Sequence, residues 1–118
     1  KEMCLQALAI HREMGSRRFE GIAMDNLARL HQAAGEWEPA RHAFEEALAV
    51  LREVRDRRSE GTTLCAFSTF LVECGDPGAR QVWNEGAAIL RDLGDARLEA
   101  SMAEMRAACA RKGLAAFE

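Results

Sequence analysis

Gly35-Glu36-Trp37-Glu38-Pro39-Ala40-Arg41-His42-Ala43-Phe44-Glu45-Glu46-Ala47 decides how this chain is read. Gly35 stops one helical run and Trp37 opens the next. Pro39 sits in the first turn, where backbone amides lack helical partners in any case. Ala40, Phe44 and Ala47 then follow at intervals of four and three, which places them on one face of a helix that turns once in about 3.6 residues. The small alanines let a second helix come close, and Phe44 fills the space beside them. The unit returns, one residue shorter in its turn, as Gly75-Asp76-Pro77-Gly78-Ala79-Arg80-Gln81-Val82-Trp83-Asn84-Glu85-Gly86, with Ala79 and Trp83 in the corresponding places.

The recurrence extends well beyond that stretch. Sliding the chain by 40 positions aligns 7–35 with 47–75, and ten of the 29 pairs are identical: Ala7, Leu8, Ala9, Arg12, Glu13, Arg17, Arg18, Glu20, Gly21 and Gly35 with their counterparts. A fixed period over such a length marks a repeat array. Gly35…Trp37…Ala40-x3-Phe44-x2-Ala47 resembles the second half of a tetratricopeptide repeat. Met24-x2-Leu27-Ala28-x2-His31 stands, more loosely, where that family has its W-x2-L-G-x2-Y pattern. Ala7-Leu8-Ala9-Ile10-His11-Arg12-Glu13-Met14-Gly15 is similar to the longer repeats found in bacterial signalling proteins, where they are joined to kinase, ATPase or DNA-binding domains. The resemblance covers nearly the whole chain and weakens towards its C-terminus. It implies an all-α, right-handed superhelical solenoid of antiparallel helix pairs, with a concave groove that binds partners and no catalysis of its own.

Helices are expected over 1–14, 17–34, 38–54, 57–74, 78–93 and 96–111, within a single domain spanning 1–118. The first is a half repeat, 17–54 and 57–93 are whole repeats, 96–111 is a terminal helix, and 112–118 reads as a frayed end or the root of a tail. Such a half repeat leaves an apolar face uncovered, since each unit buries its core against its neighbours, which places the chain as a fragment of a longer protein. Ser16 and Asp56 are expected to cap the helices that follow them, and Gly94-Asp95 to end one helix and cap the next. The apolar sets expected to pack are Cys4, Ala7 and Leu8; Ile22, Ala23, Leu27, Leu30 and Ala34; Leu64, Phe67, Phe70 and Leu71; Ala79, Trp83, Ile89 and Leu90; and Met102, Met105 and Cys109.

Composition agrees with closely packed helices. The chain has 118 residues, 48% hydrophobic and 30% charged, with no Tyr. It is long enough for a continuous core and far from the composition of a disordered chain. A net charge of −3 gives no reason to expect direct nucleic-acid binding, which calls for a basic face. No apolar run approaches the about 18 residues of a membrane span, so a cytoplasmic protein is expected. The four cysteines include no C-x2-C pair. Buried reduced thiols account for them, with a disulfide or redox switch as the alternative. Cys65 and Cys74 share one helix about 13 Å apart by helical rise, too far to bridge.

Little here carries chemistry. His31 and His42 flank the Gly35 turn, and with Glu38 or Glu45 would make a metal site. Packing explains His31 equally, since it takes the ring-filling place of the repeat, so no metal and no cofactor is expected. No nucleophile, base and orienting group assemble at recognisable spacing, and Gly75-x2-Gly78 lacks the Lys and strand of a phosphate loop. Arg17-Arg18, Arg55 to Arg58 with Asp56 between them, and Arg97 recur at repeat junctions. They read either as solvated, self-paired capping charges or as a docking strip for an acidic partner.

By resemblance, the groove is lined by the first helix of each pair. Its solvent-facing stripe is Ile22, Asp25, Asn26, Arg29 and Gln32, continued by Thr62, Cys65, Ala66, Thr69 and Glu73. Asn26 leads that set, because one amide both donates to a carbonyl and accepts from an N–H and so can fix an extended strand. Asp25 and Arg29 replace the Lys and Asn with which some of these repeats clamp a C-terminal carboxylate, which argues against chaperone-tail binding. Two functions follow: capture of a peptide or helix of a partner protein in the groove, or self-association through the end helices, with Leu8 and Met105 as contact points.

Overall fold

The computed structural model describes residues 2–13 and 15–117. Among them are six α-helices and no strand: α1 (Glu2–Glu13), α2 (Arg17–Ala33), α3 (Trp37–Glu53), α4 (Arg57–Cys74), α5 (Ala79–Leu93) and α6 (Arg97–Arg111). The internal boundaries fall within a residue of those read from the sequence. The expected ends of the first helix, positions 1 and 14, lie outside the described residues. The protein is therefore an all-α chain of helical repeats. It divides into two compact units, Lys1–Ser59 and Glu60–Glu118.

In the first unit α2 packs against both α1 and α3. Leu8 of α1, Ala23 and Met24 of α2, and Ala47 and Val50 of α3 meet in one buried cluster. Ala40, Phe44, Ala47 and Leu51 are completely buried, as the 40/44/47 spacing requires. The helices come close because Gly21 carries no side chain: a Cβ there would lie 3.0 Å from Leu51 Cδ2 and 3.1 Å from Val50 Cγ1. On α2 the buried face is Ala23, Met24, Leu27 and Ala28. The expected face was drawn too far round, since Leu30 and Ala34 are exposed. Both follow the last fully covered turn, close to the helix end.

The second unit repeats the device. Trp83 and Phe70 are its largest fully buried rings, and Leu64, Leu71, Ala79, Ala87, Leu90 and Met105 are buried as well. Gly86 brings α5 against α4, with room for no more than hydrogen: a Cβ there would stand 2.9 Å from Leu64 Cβ and 3.0 Å from the backbone nitrogen of Cys65. Cys109 is fully buried, and burial pushes its thiol above the ordinary cysteine range. None of the four cysteines is in a disulfide.

One stop signal ends every helix. The residue after the cap donates its N–H three residues back and the next donates five back: Gly35 to Gln32 and Glu36 to His31, Gly75 to Val72 and Asp76 to Leu71, Gly94 to Arg91 and Asp95 to Leu90. This double bond pattern satisfies carbonyls that the helix leaves without partners. It requires a left-handed residue, and Gly15, Gly35, Gly75, Gly94 and Gly113 supply it with φ between 62° and 74°. α3 ends the same way, through Arg55 N–H to the Arg52 carbonyl and Asp56 N–H to that of Leu51. There the left-handed position is taken by Arg55 at φ 59°.

Helix starts are less uniform. Asp56 caps α4 as expected, its Oδ1 accepting the Ser59 N–H at 3.2 Å. Asp95 accepts the Arg97 N–H at 2.9 Å, and Asp76 ties its own turn through Gly78 N–H at 2.8 Å. Ser16 precedes α2 but makes no side-chain capping bond, its backbone standing at φ −86°, ψ 76°. Trp37, part of the repeat signature, opens α3 as expected and lies 46% exposed. The tail expected to fray is held as far as it is described: the Phe117 N–H reaches Met105 Sδ at 3.3 Å, and its ring lies under the Arg80 guanidinium at 5.3 Å.

Candidate functional site

The expected partner-binding stripe divides by burial. On α2, Asn26 and Arg29 are exposed and Gln32 is half-buried. Asp25 is not on the surface: it is only 8% exposed, and it accepts a hydrogen bond from Arg29 Nε one turn along at 3.2 Å. Acid followed by base at a spacing of four is a stabilising arrangement on a helix, and here it turns the carboxylate inward while the guanidinium stays at the rim. The sequence contained that spacing, but the groove pattern drew both residues to solvent. On α4, Thr62, Thr69 and Glu73 are half-buried, whereas Cys65 and Ala66, expected to face solvent, are buried. Thr69 bonds its own helix, Oγ1 donating to the Cys65 carbonyl at 3.2 Å. Glu73 accepts from Arg111 of α6 at 3.3 Å.

Asn26 differs from its neighbours. It is exposed, and among the described residues its amide meets no partner, so both its donor and its acceptor face solvent.

The two histidines do not converge. His31 Nδ1 lies 2.7 Å from Glu36 Oε1, tying the end of α2 to the turn that follows. His42 pairs with Glu46, one turn along α3. Among the described residues no group of three or more His, Cys, Asp or Glu side chains gathers as a metal site would.

In the first unit the junction arginines Arg17 and Arg18 pair with carboxylates. Arg17 reaches Glu53 at 2.9 Å and Glu20 at 3.0 Å, and Arg12 bonds the other oxygen of Glu20 at 3.0 Å. Arg18 meets Asp56 at 2.8 Å. Burial alone would raise Glu20, but the hydrogen bonds from Arg12 and Arg17 outweigh it and hold its carboxyl below the usual range. Asp56 behaves alike: the bonds from Arg18 and Ser59 overcome its burial. Glu53 is lowered chiefly by the Arg17 hydrogen bond. For Arg17 and Arg18 the self-paired account of the arginines therefore holds.

Helix pairs joined by turns as short as residues 34–36, with alanine and glycine packed against aromatic rings, define a helical-repeat protein. Residues 1–53 match the family model described as tetratricopeptide repeat. Repeats of this family mediate protein–protein interaction. No curated protein and no solved structure matches the chain. Among the described residues, no helix is long and apolar enough to cross a membrane.

Proposed function

We propose that the chain is a non-catalytic interaction module that holds an extended peptide segment, or a helix, of a partner protein on the exposed faces of its first helices. The observation that carries this reading is Asn26: an exposed amide, free of other partners among the described residues, beside the fixed Asp25–Arg29 pair. The amide would bond a peptide backbone at one carbonyl and one N–H, with Arg29 and Gln32 reading side chains next to it. In the second unit Thr62, Thr69 and Glu73 of α4 form the equivalent face. In this reading the module serves within a larger bacterial signalling or transcriptional regulator in the cytoplasm, where its four cysteines stay reduced. Peptides selected from a random library against the whole chain test it. Asn26→Ala should weaken the selected peptides at least tenfold while the thermal melt stays nearly unchanged, since Asn26 is exposed. Peptides that bind this variant as well as the original would refute the assignment.

A second reading rests on Met3, Leu5 and Ile10 of α1, which are 81%, 44% and 53% exposed. An apolar set of this kind suits self-association. Leu8 and Met105, the contact points read from the sequence, are buried within their units, so they are unsuitable for the test. Met3→Glu with Ile10→Glu is suitable, because neither change opens the core. A dimer seen by light scattering that dissociates in this variant would favour self-association; a monomer at all concentrations would dismiss it.

A further inference from the structure

Beside the α4–α5 turn lies a cavity of about 510 Å³ walled by Val72, Pro77, Ala79, Leu114 and Phe117, with Arg80, Lys112 and Asp76 among its lining. Its size falls within the about 300–1,000 Å³ of small-molecule sites, which are mostly apolar with a few placed polar groups. Every residue lining it belongs to the second unit, and none is on the partner-binding stripe.

The charges are what make this cavity specific. Asp76 is committed to the turn, where its Oδ1 accepts the Gly78 N–H at 2.8 Å. Among the described residues neither Arg80 nor Lys112 meets a carboxylate, although the chain as a whole carries more acids than bases. The central carbon of the Arg80 guanidinium lies 5.3 Å from the centre of the Phe117 ring. A cation–π contact consumes none of the guanidinium's N–H donors, and those groups suit a carboxylate. Lys112, at the end of α6, supplies a second positive charge. Among the described residues of the lining, two cations stand against one carboxylate, a balance that complements an anionic headgroup.

We propose that this cavity binds a small amphipathic carboxylate, its apolar body against Val72, Pro77, Leu114 and Phe117 and its carboxylate between Arg80 and Lys112. Such a ligand would fasten the C-terminal segment to the α4–α5 turn, because its walls come from both.

Decanoate, kept below its micelle threshold, is the probe, with decanol and inorganic phosphate as comparisons and amide chemical shifts of the whole chain as the readout. Decanoate should saturate one site, moving the amides of Val72, Leu114 and Phe117, and should bind at least fivefold more tightly than decanol. Arg80→Gln and Lys112→Gln should each weaken decanoate at least fivefold and leave decanol unchanged. Lys112→Gln keeps the Arg80–Phe117 contact, so its effect is one of charge rather than of a loosened tail. Non-saturating shifts, decanoate binding that survives both substitutions, decanol binding as well as decanoate, or phosphate moving the same amides as strongly would each overturn the proposal.

Discussion

Arg55→Gly should make this protein more stable. Of the six left-handed residues that end its helices, five are glycine and one is Arg55, at φ 59°. In the alignment at 40 positions Arg55 stands opposite Gly15, so it is the one departure from an otherwise uniform device. A side chain at left-handed φ costs about 1–2 kcal/mol, through the crowding of Cβ against the following carbonyl. Glycine removes that cost and gives back about 0.5–1 kcal/mol through the greater freedom of the unfolded chain. Arg55 is exposed and makes no ion pair among the described residues, so nothing else is lost. The net gain is about 0.5–1 kcal/mol, a rise of roughly 2–8 °C in Tm for a unit of this size. Thermal melts of the original chain, Arg55→Gly and Arg55→Ala measure it. Alanine keeps the left-handed strain and serves as control: it should match arginine, and only glycine should gain. A glycine variant no more stable than the alanine variant would mean that the strain is relaxed in solution and the stop signal of α3 is not formed as described.

Three further outcomes follow from the packing and the charges. Phe44→Ala and Trp83→Ala should each cost about 3–5 kcal/mol, because the rings are 0% and 2% exposed; a nearly unchanged melt would put the ring at the surface. Gly86→Ala should destabilise by about 1–2 kcal/mol, since the added Cβ would press on the α4 backbone at Cys65 and this crowding outweighs the better helix propensity of alanine. Urea midpoints should place it below the original chain, and a gain would mean that α4 and α5 yield easily. Glu20, Glu53 and Asp56 have folded-state values below their ordinary ones. Their contribution is therefore complete above the ordinary carboxylate range and is lost as pH falls through the depressed values. Tm should drop on acidification below about pH 4.5. Glu20→Gln should lower Tm at pH 7 and show a shallower acid limb. An equal slope in both proteins would place the acid sensitivity elsewhere.

The helices were legible because their ends are written locally. Gly15, Gly35, Gly75 and Gly94 each follow an apolar run, and the structure turns each into the same left-handed stop. The cores were legible for a related reason: Ala40, Phe44 and Ala47, or Ala79 and Trp83, align only at helical spacing. Individual exposure was harder to read. Trp37 carries the most apolar side chain of its turn yet lies half outside, because it begins α3 before the packed face is established. Asp25 was read as a surface group, but its bond to Arg29 lets it stay buried, and a stripe pattern says nothing about such pairs. Ser16 has the residue type of a cap without its geometry. The cavity at Arg80 was not legible at all, since Pro77 and Arg80 are far in sequence from Lys112 and Phe117, and the two groups meet only when the tail folds back.

The shared stop has a consequence for how such a chain can grow or be altered. Each helix ends in one left-handed residue and two hydrogen bonds inside the final turn. A joint of this kind behaves like a machined elbow: the segment beyond it can be exchanged, and the angle at which it departs stays the same. A helix pair copied with its terminal glycine would carry its own bend, so duplication could lengthen the array without any new residue having to be found for the turns.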